Sequence, residues 1–452
     1  MKRTLAEVAR VTGGRLVGGD QSFLAVSTDS RTLEKGALFA ALRGPNFDGG
    51  EFVGAAAARG AVGALVLRRV ETDIGQIVVP DTLAALQKMA LSWRGNFDIP
   101  MVAVAGSNGK TTTKEMIATI LSLRGPCLST RGNLNNHIGV PLTLMRLEAS
   151  HRSAVIEVGA NRVGDVAELI RWVLPAIAVV TNAGAEHLEG FGDLDGVARG
   201  EGEAFASLGP SGTAVINADD AYAGYWRNLA RDSRILTFGL RAPADFGARE
   251  VRRGIDGGEF VTRFILTAPQ GERPVRLQAG GDHNLVNALA AAAASAAAGA
   301  SLDEVVAGLA QFRAVAGRLQ LKAGMRNSWI IDDSYNANPS SVRAGLDVLR
   351  SVGGVTWLVL GDMAELGEHA LQSHVQIGRY ARECGVQRLF ALGPESSRAA
   401  EAFGSGAEWF PDAESLIRRL SAEVASGVTL LIKGSRVNRL ERVVQALSGR
   451  GG

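Results

Sequence analysis

Cysteine, aromatic side chains and net charge are all in short supply in this chain, and each shortage excludes something. Cys127 and Cys384 are the only thiols in 452 residues, far apart and without partner spacing. Neither a disulfide framework nor a zinc site follows from them; two small buried hydrophobes in a reducing compartment account for both. Net charge is only +2, so no broad basic field exists to attract nucleic acid or an acidic membrane. The opening residues Met1-Lys-Arg-Thr-Leu-Ala-Glu-Val-Ala-Arg are charged throughout and lack the apolar stretch of a signal peptide. The alanine run after Leu285 contains Asn287 and Ser295 and gains little from transfer into lipid, so it reads as a close-packed helix, not a membrane span. These exclusions leave a cytoplasmic protein. Lysine is scarce beside arginine, which singles out Lys110 and Lys433, both next to glycines.

What is present is long and apolar. A chain of 452 residues with 46% hydrophobic and 21% charged residues is globular and too large for one core, so two to four domains are expected. The first 80 or so residues mix short strands and helices, with strand-like runs at Val62–Leu67 and Ile77–Pro80 and a helix over Thr82–Trp93. From about Pro100, apolar runs at Met101–Ala105, Ala154–Val158, Ile177–Thr181 and Ala214–Asn217 alternate with helical stretches. That pattern predicts a mostly parallel sheet covered on both faces. Residues 240–280 read as antiparallel strands and turns. After Gly317, runs at Trp329–Asp332, Thr356–Leu360, Arg388–Leu392 and Thr429–Ile432 predict a second doubly wound unit, whose ligands belong at the carboxyl ends of its strands. The fold class is therefore α/β in three domains: residues 1–84, a central P-loop-type domain over 85–313, and a Rossmann-like domain over 314–452.

The most informative stretch is Val102-Ala-Val-Ala-Gly-Ser-Asn-Gly-Lys-Thr111. An apolar strand delivers a loop whose glycines let backbone N–H groups close on a phosphate, and a helix opens behind it. Lys110 can reach the β- and γ-phosphates and Thr111 can ligate Mg²⁺. Val104 stands where the longer P-loop has its first glycine, so only the shorter G-x-x-G-K-T is present. The following helix presents Met116, Ile117, Ile120 and Leu121 on one face, which supplies the strand–loop–helix context.

Two further polar groups follow strands of the same unit. Glu157 ends an otherwise apolar run, where a buried carboxylate needs a cation or hydrogen bonds, or simply a cap or salt bridge at the strand end. His187 lies in the loop Thr181-Asn-Ala-Gly-Ala-Glu-His-Leu-Glu-Gly-Phe-Gly192, either solvated or, as neutral imidazole, a metal ligand. With Thr111 they bring hydroxyl, carboxylate and imidazole to one sheet edge, a reasonable pair of magnesium sites.

With these residues in view the chain resembles the Mur ligases, over essentially its whole length. The resemblance rests on Ser27-Thr-Asp-Ser-Arg31, Gly106–Thr112, Gly132-Asn-Leu-Asn-Asn-His-Ile-Gly-Val-Pro141, His187-Leu-Glu189, Gly281-Asp-His-Asn-Leu-Val-Asn287, Gly317-Arg-Leu319, Asp332-Asp-Ser-Tyr-Asn-Ala-Asn-Pro339, Gly361-Asp-Met-Ala-Glu-Leu-Gly367 and Lys433-Gly-Ser-Arg436. The Asp-Ser-Tyr-Asn-Ala-Asn-Pro run discriminates most, and the Asp-Asn-Pro-Arg expected of the sister ligase that adds the third peptide residue is absent.

The resemblance implies ATP-dependent amide formation through an acyl phosphate, with ATP and Mg²⁺ as cofactors. It implies UDP-N-acetylmuramoyl-tripeptide and D-alanyl-D-alanine as substrates, and a monomer with neither nucleic-acid nor membrane partners. Carried over by position, Gly106, Ser107, Asn108, Gly109, Lys110, Thr111 and Thr112 hold the triphosphate. Thr111, Glu157 and His187 serve the metal, with Lys110, Glu157 and His187 as the catalytic set. His283, Asn284 and Asn287 approach adenine, and Arg318 and Asp333 reach the nucleotide from the C-terminal domain. Asn336, Asn338, Lys433, Ser435 and Arg436 lie near the dipeptide and the reacting acyl group. Ser27, Asp29, Ser30 and Arg31 fit the uridine-diphosphate site, and Asn133, Asn135 and Asn136 fit contacts to the sugar-peptide; for both sets ordinary turn formation is the competing account. One position departs from the family. Many relatives carry a lysine that becomes a carbamate in the helix after His-Leu-Glu, where this chain reads Val197-Ala-Arg-Gly-Glu-Gly-Glu-Ala-Phe205. Glu201 stands in that place and is expected to supply the same negative charge to the metal and to catalysis, unless Glu203 is the equivalent and Glu201 merely solvated. A folylpolyglutamate-type synthetase and a nucleotide-hydrolysing switch remain the alternatives.

Overall fold

The computed structural model describes residues 2–449, arranged as three α/β units in succession. The first has a sheet of five short strands, β1 (Arg15–Val17), β2 (Val26–Ser27), β3 (Leu38–Ala40), β4 (Gly63–Val66) and β5 (Gly75–Val78), in the order β1-β5-β4-β3-β2, beside a separate antiparallel pair of Arg3–Thr4 with Ser22–Phe23. Only β1 runs antiparallel to its neighbour. Helix α1 (Thr82–Arg94) starts where the Asp81 carboxylate accepts the amides of Leu83 and Ala84, and it leads into the central unit.

There, β6 (Met101–Ala105), β7 (Cys127–Ser129), β8 (Ser153–Glu157), β9 (Ile177–Val180), β10 (Thr213–Asn217) and β11 (Arg234–Phe238) form a wholly parallel sheet ordered β11-β10-β9-β6-β8-β7. Alternation sorts each strand between two cores. Met101, Ala103 and Ala105 of β6 pack with Leu86 and Met89 of α1, which joins the first unit's core to the central sheet. Val102 and Val104 pack on the opposite side with Met116, Ile117 and Ile120 of α2 (Lys110–Ser122). Two further helices, α3 (Asp165–Val173) and α4 (Leu194–Ala206), flank the sheet.

The alanine run forms α5 (Asp282–Ala297), with Ala288 through Ala294 fully buried against α2 and the sheet. Side chains that small let the helix axes come close. Among the described residues no helix is long and apolar enough to cross a membrane. Residues 240–280 supply an antiparallel sheet of β12 (Gly247–Asp256), β13 (Glu259–Ala268) and β14 (Gly271–Leu277).

The third unit is a sheet of β15 (Gln320–Ala323), β16 (Trp329–Asp333), β17 (Val355–Gly361), β18 (Arg388–Leu392), β19 (Ala407–Phe410) and β20 (Val428–Lys433). Their order is β15-β16-β20-β17-β18-β19, parallel except for β15. Its helices include α6 (Pro339–Val352), α7 (Ala370–Glu383) and α8 (Ser397–Phe403). Four strands that the apolar runs do not announce, β7, β11, β15 and β19, sit at the sheet edges, and each is less completely buried than the central strands.

Helices α7 and α8 touch backbone to backbone at Gly378, where a Cβ would lie 2.1 Å from the Ala399 carbonyl oxygen. Gly378→Ala is expected to destabilise this unit by about 1–3 kcal/mol through overpacking. An unchanged urea midpoint would show that the two helices are not so closely seated.

Candidate active site

Three neighbouring strands, β9, β6 and β8, end at one edge of the central sheet, and each delivers a polar segment there. Between β6 and α2 the chain turns through Gly106 (φ 114°) and Gly109 (φ 83°). Both need glycine for space as well as conformation. A Cβ on Gly106 would lie 2.2 Å from Thr181 Oγ1, and one on Gly109 would lie 2.2 Å from Asn287 Oδ1. Asn287 of α5 therefore lies directly on the loop. It also donates to Asn284 Oδ1 at 3.3 Å, while Asn284 itself donates to Gly280 O at 2.9 Å.

The loop is braced from β9. Asn182 accepts the Asn108 amide at 3.0 Å and donates to the Asn108 carbonyl at 2.9 Å, and Thr181 Oγ1 donates to the same carbonyl at 2.7 Å. The Ser107 hydroxyl exchanges hydrogen bonds with the Gly184 backbone. Asn182 is a structural member of the site that the sequence pattern does not single out.

Lys110 opens α2 and turns its ammonium back into the loop, donating to the carbonyls of Gly106 and Ser107 and to Glu186 Oε1 at 3.1 Å. Burial works against this charge, but the carboxylates of Glu186, Glu201 and Glu157 outweigh it and hold the lysine above its ordinary value. Glu186 is buried, and burial pushes its carboxyl up to about 7 against the pull of Lys110. It too was not singled out in the sequence, although it directly precedes His187 in a polar loop. Thr112 and Thr111 follow on α2, both buried.

Glu201, on α4, is completely buried and accepts the Gly106 amide on Oε2 at 2.6 Å, while its Oε1 has no partner. Burial raises its pKa, opposed by Lys110 and by that amide. Glu203, two residues along, turns the other way and caps α3 through the amides of Gly164 (2.7 Å) and Ala167 (2.9 Å). Of the two candidate glutamates, only Glu201 touches the phosphate loop. Glu157 is also buried; Oε1 accepts from Asn135 at 2.9 Å and Oε2 is unpartnered.

Two buried carboxylate oxygens without partners suit a cation, since each would otherwise bear its full desolvation cost. No three His, Cys, Asp or Glu side chains among the described residues form a ready-made cage. A magnesium ion does not need such a cage, since it takes one or two carboxylates and fills its shell with phosphate oxygens and water. His187 reaches the neighbouring unit. It adopts a left-handed conformation (φ 48°) and pairs through Nδ1 with Glu365 of the third unit at 2.6 Å, and burial lowers its pKa. Glu365, also left-handed (φ 64°), lies within the Gly361–Gly367 motif, where the sequence alone gives it no role of its own.

The C-terminal unit meets this edge with its own strand ends. Arg318 donates to Thr111 Oγ1 at 3.0 Å and stacks over Tyr335. Lys433 at the end of β20 is buried and pairs with Asp333 of β16 at 2.6 Å, also donating to Asn336 O at 3.0 Å. His283 lies near this pair, with its pKa lowered by burial. Asn338 caps α6 through Ser341 N and donates to Asn108 Oδ1 at 2.8 Å. Ser435 is buried between Ala337 O and Ala364 N, whereas Arg436 is exposed and paired with Glu441. A narrow cleft between the units is lined by Glu186, His187, Asn336, Asn338, Ala364 and Glu365.

Of the remaining expected residues, Asn135 reaches the carboxylates around Lys110 through Glu157. Ser27, Asp29 and Arg31 form a self-contained turn after β2, in which Arg31 draws the exposed Asp29 carboxyl down to about 2; Ser30 sits within it. Of the asparagines, Asn135 positions Glu157, Asn136 spends its side chain capping the helix Gly139–Leu144, and Asn133 is exposed.

Comparison with known proteins bears on this arrangement as a whole. Residues 23–93, 104–295 and 317–436 match, in turn, the Mur ligase family catalytic domain, the Mur ligase middle domain and the Mur ligase glutamate ligase domain. The UDP-N-acetylmuramoyl-tripeptide–D-alanyl-D-alanine ligase of Escherichia coli K12 is 42% identical over 99% of both chains. A crystal structure of MurF from Acinetobacter baumannii superposes with a TM-score of 0.91 at 35% identity, covering 98% of each chain. MurF from Thermotoga maritima in complex with ADP gives 0.82 at 27% identity over 93% of this chain and 96% of that one. End-to-end coverage, identity above 40% and a shared three-unit order leave one conclusion: the chain belongs to the Mur ligase family.

Proposed function

We propose that this protein joins D-alanyl-D-alanine to UDP-N-acetylmuramoyl-tripeptide, converting ATP to ADP and phosphate, in the cytoplasmic supply of peptidoglycan precursors. The carrying observation is that the lysine-bearing phosphate loop touches the Asn336–Asn338 segment through Asn108 and Asn338, beside a cleft that Glu186, the partner of Lys110, lines together with Asn336 and Asn338. A phosphoryl donor and a peptide acceptor can meet only in such a place. Residues 1–84 serve the UDP-sugar-peptide, 85–313 the ATP and 314–452 the dipeptide and nucleotide. The enzyme acts as a monomer, with neither nucleic acid nor membrane as partner.

The tripeptide's terminal carboxylate attacks the γ-phosphorus, the bond to the β-phosphate oxygen breaks, and ADP leaves an acyl phosphate. The dipeptide amine then attacks the acyl carbon and loses a proton, and the tetrahedral intermediate expels phosphate. The first step brings two anions together, so positive charge must be waiting. The Lys110 ammonium supplies it, exchanging Glu186 and the loop carbonyls for γ-phosphate oxygens, while the loop of residues 106–112 wraps the remaining phosphate oxygens and offers them the first-turn amides of α2, those of Gly106, Ser107 and Asn108 being held within the protein. Magnesium, when bound, neutralises phosphate charge; Thr111, Glu157, His187 and Glu201 are the residues to hold it, Glu157 and Glu201 through their unpartnered oxygens. His283, Asn284, Asn287, Arg318 and Asp333 serve the nucleotide. Asn336, Asn338, Lys433, Ser435 and Arg436 orient the dipeptide and acyl group. Ser27, Asp29, Ser30 and Arg31 take the uridine diphosphate, and Asn133, Asn135 and Asn136 the sugar-peptide. Water would destroy the acyl phosphate, so the cleft must exclude it.

The direct test is phosphate release from ATP with the UDP-tripeptide, with and without D-alanyl-D-alanine. Amide product requiring all three substrates is expected; ATP hydrolysis needing neither peptide would mark a nucleotide switch instead. Lys110→Ala should lower turnover by about 10³-fold or more, the scale of removing a major electrostatic contact in a transition state.

Glu201 makes CO₂ unnecessary in this reading, so activity should be equal in CO₂-depleted buffer. Glu201→Ala should lose activity that Glu201→Asp partly keeps. Because the alanine variant also orphans the Gly106 amide, it should be destabilised by about 1–3 kcal/mol in urea titration. Full activity in Glu201→Ala would end this role.

Glu186 gives a pH signature. Its folded pKa, about 7, lies above the ordinary carboxyl value, so the folded state holds the extra proton and stability falls as pH rises between the two. Glu186→Gln removes that dependence. Melting temperature should therefore decline less in the variant than in the parent from about pH 5 to about pH 8, and parallel profiles would contradict the assignment.

A further inference from the structure

The side chain of Asn108 does nothing for its own loop. Its backbone N–H and carbonyl are already held by Asn182 and Thr181, so the loop's path does not depend on the carboxamide. Both ends of that carboxamide leave the central unit: Nδ2 donates to Ser340 Oγ at 3.0 Å, and Oδ1 accepts from Asn338 Nδ2 at 2.8 Å. Their targets are the N-cap and second residue of α6, tied together by Ser340 Oγ donating to Asn338 Oδ1 at 3.0 Å. The space is kept by Gly184, where a Cβ would lie 3.0 Å from Asn108 Nδ2 and 3.2 Å from Ser340 Oγ. A side chain in the middle of a phosphate loop is thus spent on the start of a helix in another domain.

We propose that Asn108 is a positioning residue that couples the phosphate loop to the N-terminus of α6, so that seating the triphosphate fixes where the C-terminal domain presents the dipeptide. This rests on the ligase reading above and adds a means of coordination between its two halves. The Asn336–Asn338 segment enters α6 directly, so a displacement of the cap moves the dipeptide motif by the same amount. Asn108 is anchored to the nucleotide side by its backbone and to the acceptor side by its carboxamide. Without it, nucleotide and tripeptide can still react, but the dipeptide is met by a looser domain and the acyl phosphate is more open to water.

The test compares the parent with Asn108→Ala, Ser340→Ala and the double variant. In steady-state phosphate release, Asn108→Ala should raise KM for D-alanyl-D-alanine about tenfold, the scale of one or two polar contacts. KM for ATP and for the UDP-tripeptide should stay near the parent's, while the fraction of ATP hydrolysed without amide product rises. Ser340→Ala, an exposed position whose loss leaves the cap to Ser341 intact, should shift the same parameters in the same direction by less. It carries the test if Asn108→Ala does not fold. The double variant should be no worse than Asn108→Ala, because the two changes break one linkage. A raised ATP KM with an unmoved dipeptide KM would make Asn108 a nucleotide contact and overturn the proposal. If the parent itself formed no amide, the ligase reading would fall, and X-ray scattering would still decide the coupling. With a non-hydrolysable ATP analogue the Asn108→Ala variant should have a larger radius of gyration than the parent, and equal radii would refute it.

Discussion

One buried ammonium organises this molecule. Lys110 lies among Glu157, Glu186 and Glu201, all buried, and no arrangement of three carboxylates around one cation is neutral. At an effective dielectric of about 20, unit charges about 4 Å apart interact by about 4 kcal/mol, so the excess has to be absorbed. The site absorbs it in two ways. Glu186 holds its proton up to about 7, and Glu157 and Glu201 each keep one unpartnered oxygen, the demand a divalent ion meets. In the proposed reaction the same lysine that steadies the carboxylates in the free protein is the group that meets the triphosphate. Exchange of one set of anions for another is then a redistribution of charge and not the burial of new charge, which keeps the binding of a polyanion within reach.

Sheet topology puts these groups together. The chain leaves β6 for β7 on one side, returns to β8, and only then crosses to β9 on the other side, so β6 lies between strands reached in opposite directions. The crevice at such a reversal opens at the carboxyl ends of the strands, and the phosphate loop, Glu157 and the Thr181–His187 segment all start there. Helix geometry then separates the glutamates of α4. Residues two apart on a helix point about 200° away from each other, which is why Glu201 reaches under Gly106 while Glu203 caps α3. The choice between those two glutamates turns on this angle.

Legibility in the sequence followed the range of the interaction. Central strands such as β6 and β18 announce themselves as continuous apolar runs because both faces are covered. Edge strands β7, β15 and β19 have three or four residues, few of them buried, and β11 opens on exposed Arg234, so their pattern merges with that of loops. The phosphate loop was legible because strand, glycines, lysine and helix are consecutive. Glu186 and Asn182 were not, since their meaning lies in partners more than 70 residues away: Lys110 at a separation of 76 and Asn108 at 74. Asn135 and Asn136 make the limit plain. They are adjacent and chemically identical, yet one holds Glu157 and the other caps a helix.

The seam between the central and C-terminal units is built unlike either core. Its direct ties are polar: Arg318 to Thr111, Asn338 and Ser340 to Asn108, and Glu365 to His187. Two of the residues involved, His187 and Glu365, sit in left-handed backbone that costs of order 1 kcal/mol each. Strain of that kind persists only where the surroundings hold it, and here it is placed at the contact itself. Apolar continuity between the units is concentrated elsewhere, where Phe260 of β13 packs into the C-terminal core with Leu319 and Ile331. A hydrophobic seam across the cleft would resist parting in proportion to its area, whereas polar groups that separate are rehydrated at little net cost. With the apolar anchor at one side and the strained polar contacts at the other, separation is cheapest at the side where substrates must enter. The contacts that would be lost first are those that touch the phosphate loop, which ties access for a peptide to what occupies that loop.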